Sequence, residues 1–304
     1  MRRDNPALGA LSVVFAALAF ALMSALIREL SAELSNPVIV FFRNLFGLLF
    51  LIPWLIRLTP RGMLTSVPHL HLLRVSAGLL AMYCFFWAIP RLHLSEAVLL
   101  NYATPLFIPF IAWFWLRERV SNPVKLAIII GFVGIVVMLR PGTGLFTGAG
   151  GVGLLAGFFA AIAMVSIRRL GRSEPATRIV FYFAVFGTVI SAIPMFWYWQ
   201  PLTLTQTGLL AAVGLLATLG QLLITKGYSL APAAQVGPFT YAAVIFAGLI
   251  GWAAWGETPD MISVAGMTLV AAAGILAMRR HLTPRDTPDP HCNPAPRQAA
   301  KKSA

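Results

Sequence analysis

The chain has 304 residues, of which 59% are hydrophobic and only 11% are charged. A typical soluble domain carries about 25% charged residues, so this composition excludes an ordinary water-soluble globule. The formal net charge is +13, but the Lys and Arg residues lie in short segments between apolar runs rather than along one face, which argues against a nucleic-acid partner.

Apolar runs follow one another from Leu8 to Met278 without a long polar stretch between them. Each run approaches the roughly 20 residues that a helix needs to cross a bilayer. The sequence therefore predicts an all-α integral membrane protein with ten transmembrane helices. We expect these helices near residues 8–28, 38–57, 70–89, 95–116, 124–140, 151–168, 178–199, 207–227, 233–255 and 262–279.

The two halves of the chain resemble each other. Arg28 matches Arg168 at a separation of 140 residues, and an ordered aromatic and acidic series recurs at a separation of 139. In this series Tyr102, Phe107, Trp113 and Glu118 match Tyr241, Phe246, Trp252 and Glu257. Such constant spacing indicates an internal duplication.

Each half contains five predicted spans, an odd number, so the second half must enter the membrane from the opposite side. Inverted repeats of this kind are typical of secondary transporters. We predict a first repeat over residues 7–140 and a Gly-rich linker over 141–150. A second repeat over 151–280 and a disordered cytoplasmic tail over 281–304 complete the division.

Basic residues are distributed unevenly about the predicted spans. Of the 23 Lys and Arg residues, 19 lie on the side of the N-terminus, 3 lie on the other side, and Arg43 lies within a span. Arg74, close to the start of the third helix, is counted with the 19. Cytoplasmic loops are enriched in Lys and Arg, so both termini are predicted to be cytoplasmic, with the protein in the inner membrane.

Three stretches of the sequence resemble a known family. Residues 94–119 read LSEAVLLNYATPLFIPFIAWFWLRER, and they and their counterpart over 233–278 resemble the EamA-type drug/metabolite transporter superfamily. Residues 37–53, PVIVFFRNLFGLLFLIP, are similar to the second helix of carriers of S-adenosylmethionine and related solutes. The resemblance implies two inverted five-helix repeats, a central cavity, peripheral fifth and tenth helices, and transport without ATP hydrolysis.

Arg43 is the first candidate for a substrate-binding residue. A charge at the centre of a bilayer costs roughly 2.5–3.5 kcal/mol on insertion scales and is functional by default. Arg43 could hold a carboxylate or phosphate of the solute. Alternatively, it could reach the membrane surface or pair structurally with a neighbouring helix.

Polar residues at repeat-related positions are the next candidates. Asn101 and Tyr102 correspond to Thr240 and Tyr241, so all four could face a midplane site on the pseudo-twofold axis. They could also serve only as hydrogen-bonding groups between helices. The same two interpretations apply to a further set of polar side chains, Gln221, Tyr83, Ser24 and Ser166.

The remaining polar residues are interpreted structurally. Glu118 and Glu257 close two helices, and each is expected to cap the start of the helix that follows, with proton coupling as the alternative. His69, His71 and His93 are expected at membrane surfaces. Gly153 and Gly157 form a small-xxx-small pair that predicts close helix packing.

These features favour a secondary transporter that carries a small organic solute by alternating access within membrane lipid. A membrane enzyme acting on a lipid or lipid-linked substrate would need a paired acid and base or a metal cluster, and the sequence offers neither. A passive channel remains the other alternative. No cofactor or metal is predicted, and the sequence specifies neither the direction of transport nor an oligomeric state.

Overall fold

The computed structural model describes residues 6–55, 65–116, 122–139, 148–170, 173–174, 176–230 and 237–281, and within these residues the secondary structure is helical without β-strands. Two 3₁₀ turns, Ile89–Arg91 and Gly237–Tyr241, separate some of the α-helices. The α-helices are α1 (Pro6–Leu30), α2 (Asn36–Leu55), α3 (Pro68–Ala88), α4 (Leu94–Tyr102), α5 (Thr104–Leu116), α6 (Asn122–Leu139), α7 (Gly148–Leu170), α8 (Ala176–Trp197), α9 (Leu204–Leu230), α10 (Ala242–Trp255) and α11 (Met261–His281).

The helices have the length and surface of a multi-pass membrane protein. Six helical segments in the described part of the chain are long and apolar enough to cross a bilayer, and four shorter apolar helices accompany them. Large apolar side chains lie on the outside, among them Phe114 and Phe196, which are 81% and 79% exposed. In water such exposed apolar side chains would promote aggregation, whereas in a membrane they contact lipid tails.

Helices occur at every predicted span, and two of these spans contain an interruption within the described residues. The span predicted over 95–116 is broken at Ala103, between α4 and α5. In the span predicted over 233–255, the 3₁₀ turn Gly237–Tyr241 precedes α10, which begins at Ala242. In addition, α7 begins at Gly148, inside the predicted linker. The linker residues 141–147 and the tail residues 282–304 lie outside the described residues.

Small residues bring the central helices into close contact. Helix α1 packs along α9, and its buried face carries Ala16, Ala17 and Ala21. On α9, a Cβ atom added to Gly227 would lie 2.9 Å from the carbonyl oxygen of Gly9 in α1. Because lipid tails are as apolar as Leu, helices in a membrane gain most from such close packing of their backbones.

The predicted packing role of Gly153 and Gly157 is confirmed at the contact between α7 and the end of α4. A Cβ on Gly153 would lie 2.9 Å from the side chain of Leu100, and one on Gly157 would lie 2.6 Å from the Leu100 carbonyl oxygen. A backbone atom cannot move aside as a flexible side chain can. Gly157 therefore sets how closely α7 approaches the break between α4 and α5.

We predict that Gly157→Ala lowers the free energy of unfolding by about 1–3 kcal/mol, the usual range for overpacking. The midpoint of thermal unfolding in detergent measures the effect. Gly151→Ala is the matched control on the same helix, because a Cβ there has no neighbour within 4 Å. Equal unfolding midpoints for the two variants would contradict the close contact with Leu100.

Candidate functional site

The break between α4 and α5 is a local consequence of Pro105. Proline has no N–H to donate to the carbonyl four residues earlier, so the carbonyl of Asn101 loses its helical partner. The hydroxyl of Thr104 replaces it and donates to Asn101 O at 2.6 Å. The same hydroxyl lies 3.3 Å from the carbonyl oxygen of Gly157 in α7. Thr104 thus links the break between α4 and α5 to the backbone of α7.

The second half has an interruption 139 residues later, where the 3₁₀ turn Gly237–Tyr241 precedes α10. Tyr241 is buried, and its hydroxyl donates to the carbonyl oxygen of Tyr102 at 3.3 Å. The two rings lie 6.4 Å apart between centroids. Asn101 and Thr240, their neighbours in sequence, are half-buried. The structure therefore brings the two repeat-related tyrosines into contact at two helix interruptions.

Arg43 lies in α2 and points into the protein. Its Nη1 donates to Asn44 Oδ1 at 3.0 Å, and Asn44 Nδ2 lies 3.5 Å from Ser191 Oγ in α8. The Nε atom of Arg43 is buried and has no hydrogen-bond partner in the described part of the protein. The structural alternative of an ion pair with a neighbouring helix is therefore not realised among the described acidic residues.

The sequence interpretation missed Arg74. It was counted with the cytoplasmic charges, yet it lies six residues inside α3, with its guanidinium carbon 4.2 Å from the ring centroid of Phe183 in α8. Its Nε is also buried without a described partner, and the charge of Arg43 acts on it repulsively. The sequence did contain a signal for this inward position, because Arg74 lies on the second turn of the span predicted over 70–89.

The other candidate side chains are dispersed. Tyr83 in α3 has a buried hydroxyl without a described hydrogen-bond partner. Ser24 and Ser166 are buried, and each donates to the carbonyl four residues earlier in its own helix, at 2.9 and 2.7 Å. Gln221 is exposed on α9. The geometry thus favours a structural role for the two serines.

His71 was expected at a membrane surface and is instead buried in α3. Its ring stacks on Tyr182 of α8 with 4.3 Å between centroids, and neither ring nitrogen has a described hydrogen-bond partner. In the described residues, no three His, Cys, Asp or Glu side chains gather where they could bind a metal ion.

Glu257 does cap a helix, but not the one that follows it. Its Oε2 accepts a hydrogen bond of 2.8 Å from the backbone N–H of Leu94, the first residue of α4, and its Oε1 forms an ion pair with Arg28. Gly256, at φ +67°, ends α10 in the left-handed conformation and turns the chain back towards α4. Glu118, its counterpart, lies outside the described residues.

The contacts of Glu257 join three parts of the fold at one end of the bundle, which we name the Arg28 end. Arg28 at the end of α1 also stacks on Trp255, 4.6 Å from the ring centroid, and its Nη1 lies 3.4 Å from the carbonyl oxygen of Leu92. The side chains of Arg28 and Glu257 are only 18% and 9% exposed. This partly buried ion pair therefore fixes the segment 256–260 against α1 and α4.

A second polar cluster lies at the opposite end of the bundle, which we name the Glu174 end. Glu174 accepts a hydrogen bond of 2.7 Å from Thr65, just before α3, and pairs with Arg178 at the start of α8. Burial by itself would raise the pKa of Glu174, but the hydrogen bonds from Thr65 and Arg178 and the charge of Arg178 outweigh burial and lower this pKa.

An open crevice of about 680 Å³ lies between α4, α10 and α11. Its lining is mostly apolar and includes Ile245, Leu249 and Trp252, which are all more than half exposed. The buried Tyr241 and the partly buried Glu257 also line this crevice, whereas Arg43 and Arg74 do not.

We expect Glu257→Gln to lower the free energy of unfolding by about 1–3 kcal/mol, because hydrogen bonds to charged groups contribute about this much. Thermal unfolding in detergent measures the loss. The double variant Arg28→Glu/Glu257→Arg restores an ion pair, but arginine cannot accept the Leu94 N–H. We therefore expect only partial recovery, and full recovery would show that the cap contributes nothing.

The lowered pKa of Glu174 predicts acid destabilisation. As pH falls below the unfolded-state pKa of 4.5, the unfolded chain binds a proton before the folded one does, so stability present above that pH is lost. Glu174→Gln should flatten the fall in unfolding midpoint between about pH 5 and about pH 3. Glu29→Gln removes an exposed carboxylate and is the control; identical profiles for the two variants would contradict the prediction.

Comparison with known proteins identifies the family. The EamA-like transporter family matches residues 7–140 and again residues 149–279. The pseudopaline exporter CntI of Pseudomonas aeruginosa (strain UCBPP-PA14) is 34% identical over 274 residues, which cover 89% of this chain and 96% of that protein. The riboflavin transporter of Vibrio cholerae serotype O1 is 28% identical, with 84% of this chain and 88% of that protein covered.

A third relative is the S-adenosylmethionine uptake transporter of Rickettsia bellii (strain RML369-C), 24% identical over 81% of this chain and 84% of that protein. A solved crystal structure shares the fold with a TM-score of 0.61 at 16% identity, over 90% of this chain and 99% of the other. The named relatives are transporters, which confirms the prediction of a transporter rather than an enzyme. The chain belongs to the EamA-like transporter family.

Proposed function

We propose that this protein is a secondary transporter that moves a small organic metabolite across the cytoplasmic membrane by alternating access. In this proposal ten transmembrane helices form two inverted five-helix repeats, residues 7–140 and 151–280. The observation that carries the proposal is the contact between Tyr102 and Tyr241 at two helix interruptions related by the repeat. Discontinuous helices that meet near the midplane are a frequent basis of substrate sites in such carriers.

The pattern of helix packing supports the two-repeat arrangement. Helix α1, the first span of the first repeat, packs along α9, the third span of the second repeat. The equivalent contact occurs in reverse: α7, the first span of the second repeat, packs along α3, the third span of the first repeat. Helix α6 packs along α11, and α2 along α8, each pair being repeat-related partners. The two matches to one family, over residues 7–140 and 149–279, agree with the same division.

The orientation follows from the basic residues. With both termini cytoplasmic, the Arg28 end would face outwards and the Glu174 end inwards. Arg178 and the cytoplasmic loops would then hold most of the positive charge, as is usual for inner-membrane proteins.

The site would lie between the repeats. Asn101, Tyr102, Thr240 and Tyr241 supply aromatic faces and polar groups, while Arg43 supplies a cation that can hold an acidic group of the solute in the planar, two-pronged manner of guanidinium. Pseudopaline is the first solute to test, because its exporter is 34% identical over nearly the whole chain. Riboflavin and S-adenosylmethionine follow from the other relatives.

The test is flux in proteoliposomes that contain the purified protein. We expect saturable uptake of at least one of these three solutes, with counterflow when the vesicles are preloaded, because a carrier exchanges its bound solute on both faces. Arg43→Ala should reduce the flux at least tenfold, and Arg43→Lys should restore it only partly, since lysine lacks the planar fork.

Arg91→Ala is the control, because it also removes one arginine charge, but from an exposed side chain whose guanidinium carbon lies 3.9 Å from the ring centroid of Trp87. Its flux should equal that of the unmodified protein. Non-saturating flux without counterflow would indicate a passive channel and contradict the proposal. Normal flux by a folded Arg43→Ala protein would return Arg43 to a structural role.

A further inference from the structure

Arg43 in α2 and Arg74 in α3 lie at a similar depth in the membrane domain, on helices that run in opposite directions. Helix α2 begins at the Arg28 end, and Asn36 at its start donates to the carbonyl oxygen of Tyr83 near the end of α3 at 2.9 Å, so the two helices are antiparallel. At 1.5 Å per residue, the Cα atoms of Arg43 and Arg74 each lie about 10 Å from the start of their helices. Their long side chains can therefore meet within the middle of a bilayer core of about 30 Å.

The two arginines differ from the arginines at the ends of the bundle. Arg28 pairs with Glu257 and Arg178 pairs with Glu174. Among the described acidic residues, none pairs with Arg43 or Arg74, and both Nε atoms are buried without a described acceptor. Two arginines near the ends of the bundle thus have acidic partners, whereas Arg43 and Arg74 are like charges that lie in the interior without a described one.

Polar side chains lie beside Arg43, whereas Arg74 is packed against Phe183 and the backbone of Gly78. Asn44 lies beside Arg43 and its amide reaches Ser191 Oγ at 3.5 Å. Nearby, α8 carries Gly187, whose nearest neighbour would be Asn44 Oδ1, 4.0 Å from an added Cβ. On the other side, the guanidinium carbon of Arg74 lies 4.2 Å from the ring centroid of Phe183, within the range of a cation–π contact.

We propose that Arg43 and Arg74 together form a binding site for an organic anion that carries two negatively charged groups. The inference rests on the proposed transport function and adds the charge class of the solute. In a medium of low dielectric, a solute with one negative charge would compensate one guanidinium and leave the other unpaired, whereas a dianion compensates both. Bidentate contacts between each guanidinium and a carboxylate would add geometric selectivity.

The experiment uses three probes of one carbon skeleton: succinamide without charge, succinamate with one carboxylate, and succinate with two. Thermal unfolding of the full-length protein in detergent is measured with each probe, at an ionic strength matched with NaCl. We expect succinate to raise the unfolding midpoint most and succinamide not at all, because ligands that bind the folded state stabilise it. Arg43→Gln and Arg74→Gln should each remove the difference between succinate and succinamate.

Arg91→Gln is the matched control, since it deletes an exposed arginine that also stacks on an aromatic ring, and its response should equal that of the unmodified protein. Without any probe, Arg74→Gln should keep or raise the unfolding midpoint because it relieves the repulsion from Arg43. A purely structural Arg74 would instead give a lowered midpoint. That lowered midpoint, or equal responses to the three probes, would overturn the dianion site.

The outcome is separable from the test of transport. A protein that shows saturable flux and counterflow in proteoliposomes, but whose stabilisation ignores the number of carboxylates, contradicts the dianion site and leaves the transport proposal intact. Absence of flux for every solute, together with succinate-specific stabilisation that requires both arginines, contradicts the transport proposal and retains the anion site.

Discussion

The low dielectric of the bilayer is the constraint on which this structure depends. Lipid offers no partner to a polar group, so each such group must find one within the protein. Ser24 and Ser166 donate to their own helices. Thr104 replaces the backbone donor that Pro105 removes and so makes the break at Ala103 tolerable. Where a side chain remains without a partner, as at the Nε atoms of Arg43 and Arg74, function is the natural explanation.

The same constraint explains how the ends of the bundle are held. The carboxylate of Glu257 satisfies a helix N-terminus and a guanidinium at once, and that of Glu174 joins the segment before α3 to α8. Both carboxylates connect the first half of the chain to the second. The two clusters therefore hold the halves of the chain together at both ends of the bundle.

Close backbone packing and interrupted helices meet at one place. Gly157 of α7 lies against the Leu100 carbonyl, just before the α4–α5 break, and Tyr241 contacts the carbonyl of Tyr102 from the other half. The irregular backbone is thus enclosed by protein rather than exposed to lipid, which is the condition for non-helical segments at membrane depth. Arg43 and Arg74 lie on other helices, α2 and α3. Both helices contact α8, through Asn44 and Ser191 and through Arg74 and Phe183.

Composition and hydropathy were sufficient to predict an all-helical membrane protein, because continuous apolar runs of about 20 residues cross lipid as helices, which satisfy their own backbone polar groups. The repeat spacing singled out Tyr102 and Tyr241 as corresponding positions, and the structure places their rings 6.4 Å apart between centroids. Hydropathy did not reveal the break at Ala103, because the helices on both sides of it are apolar. It also did not reveal the partner of Glu257, the burial of His71 or the inward position of Arg74. Those depend on which helices pack side by side, and pairings between residues such as Leu94 and Glu257, 163 positions apart, exist only in the tertiary structure.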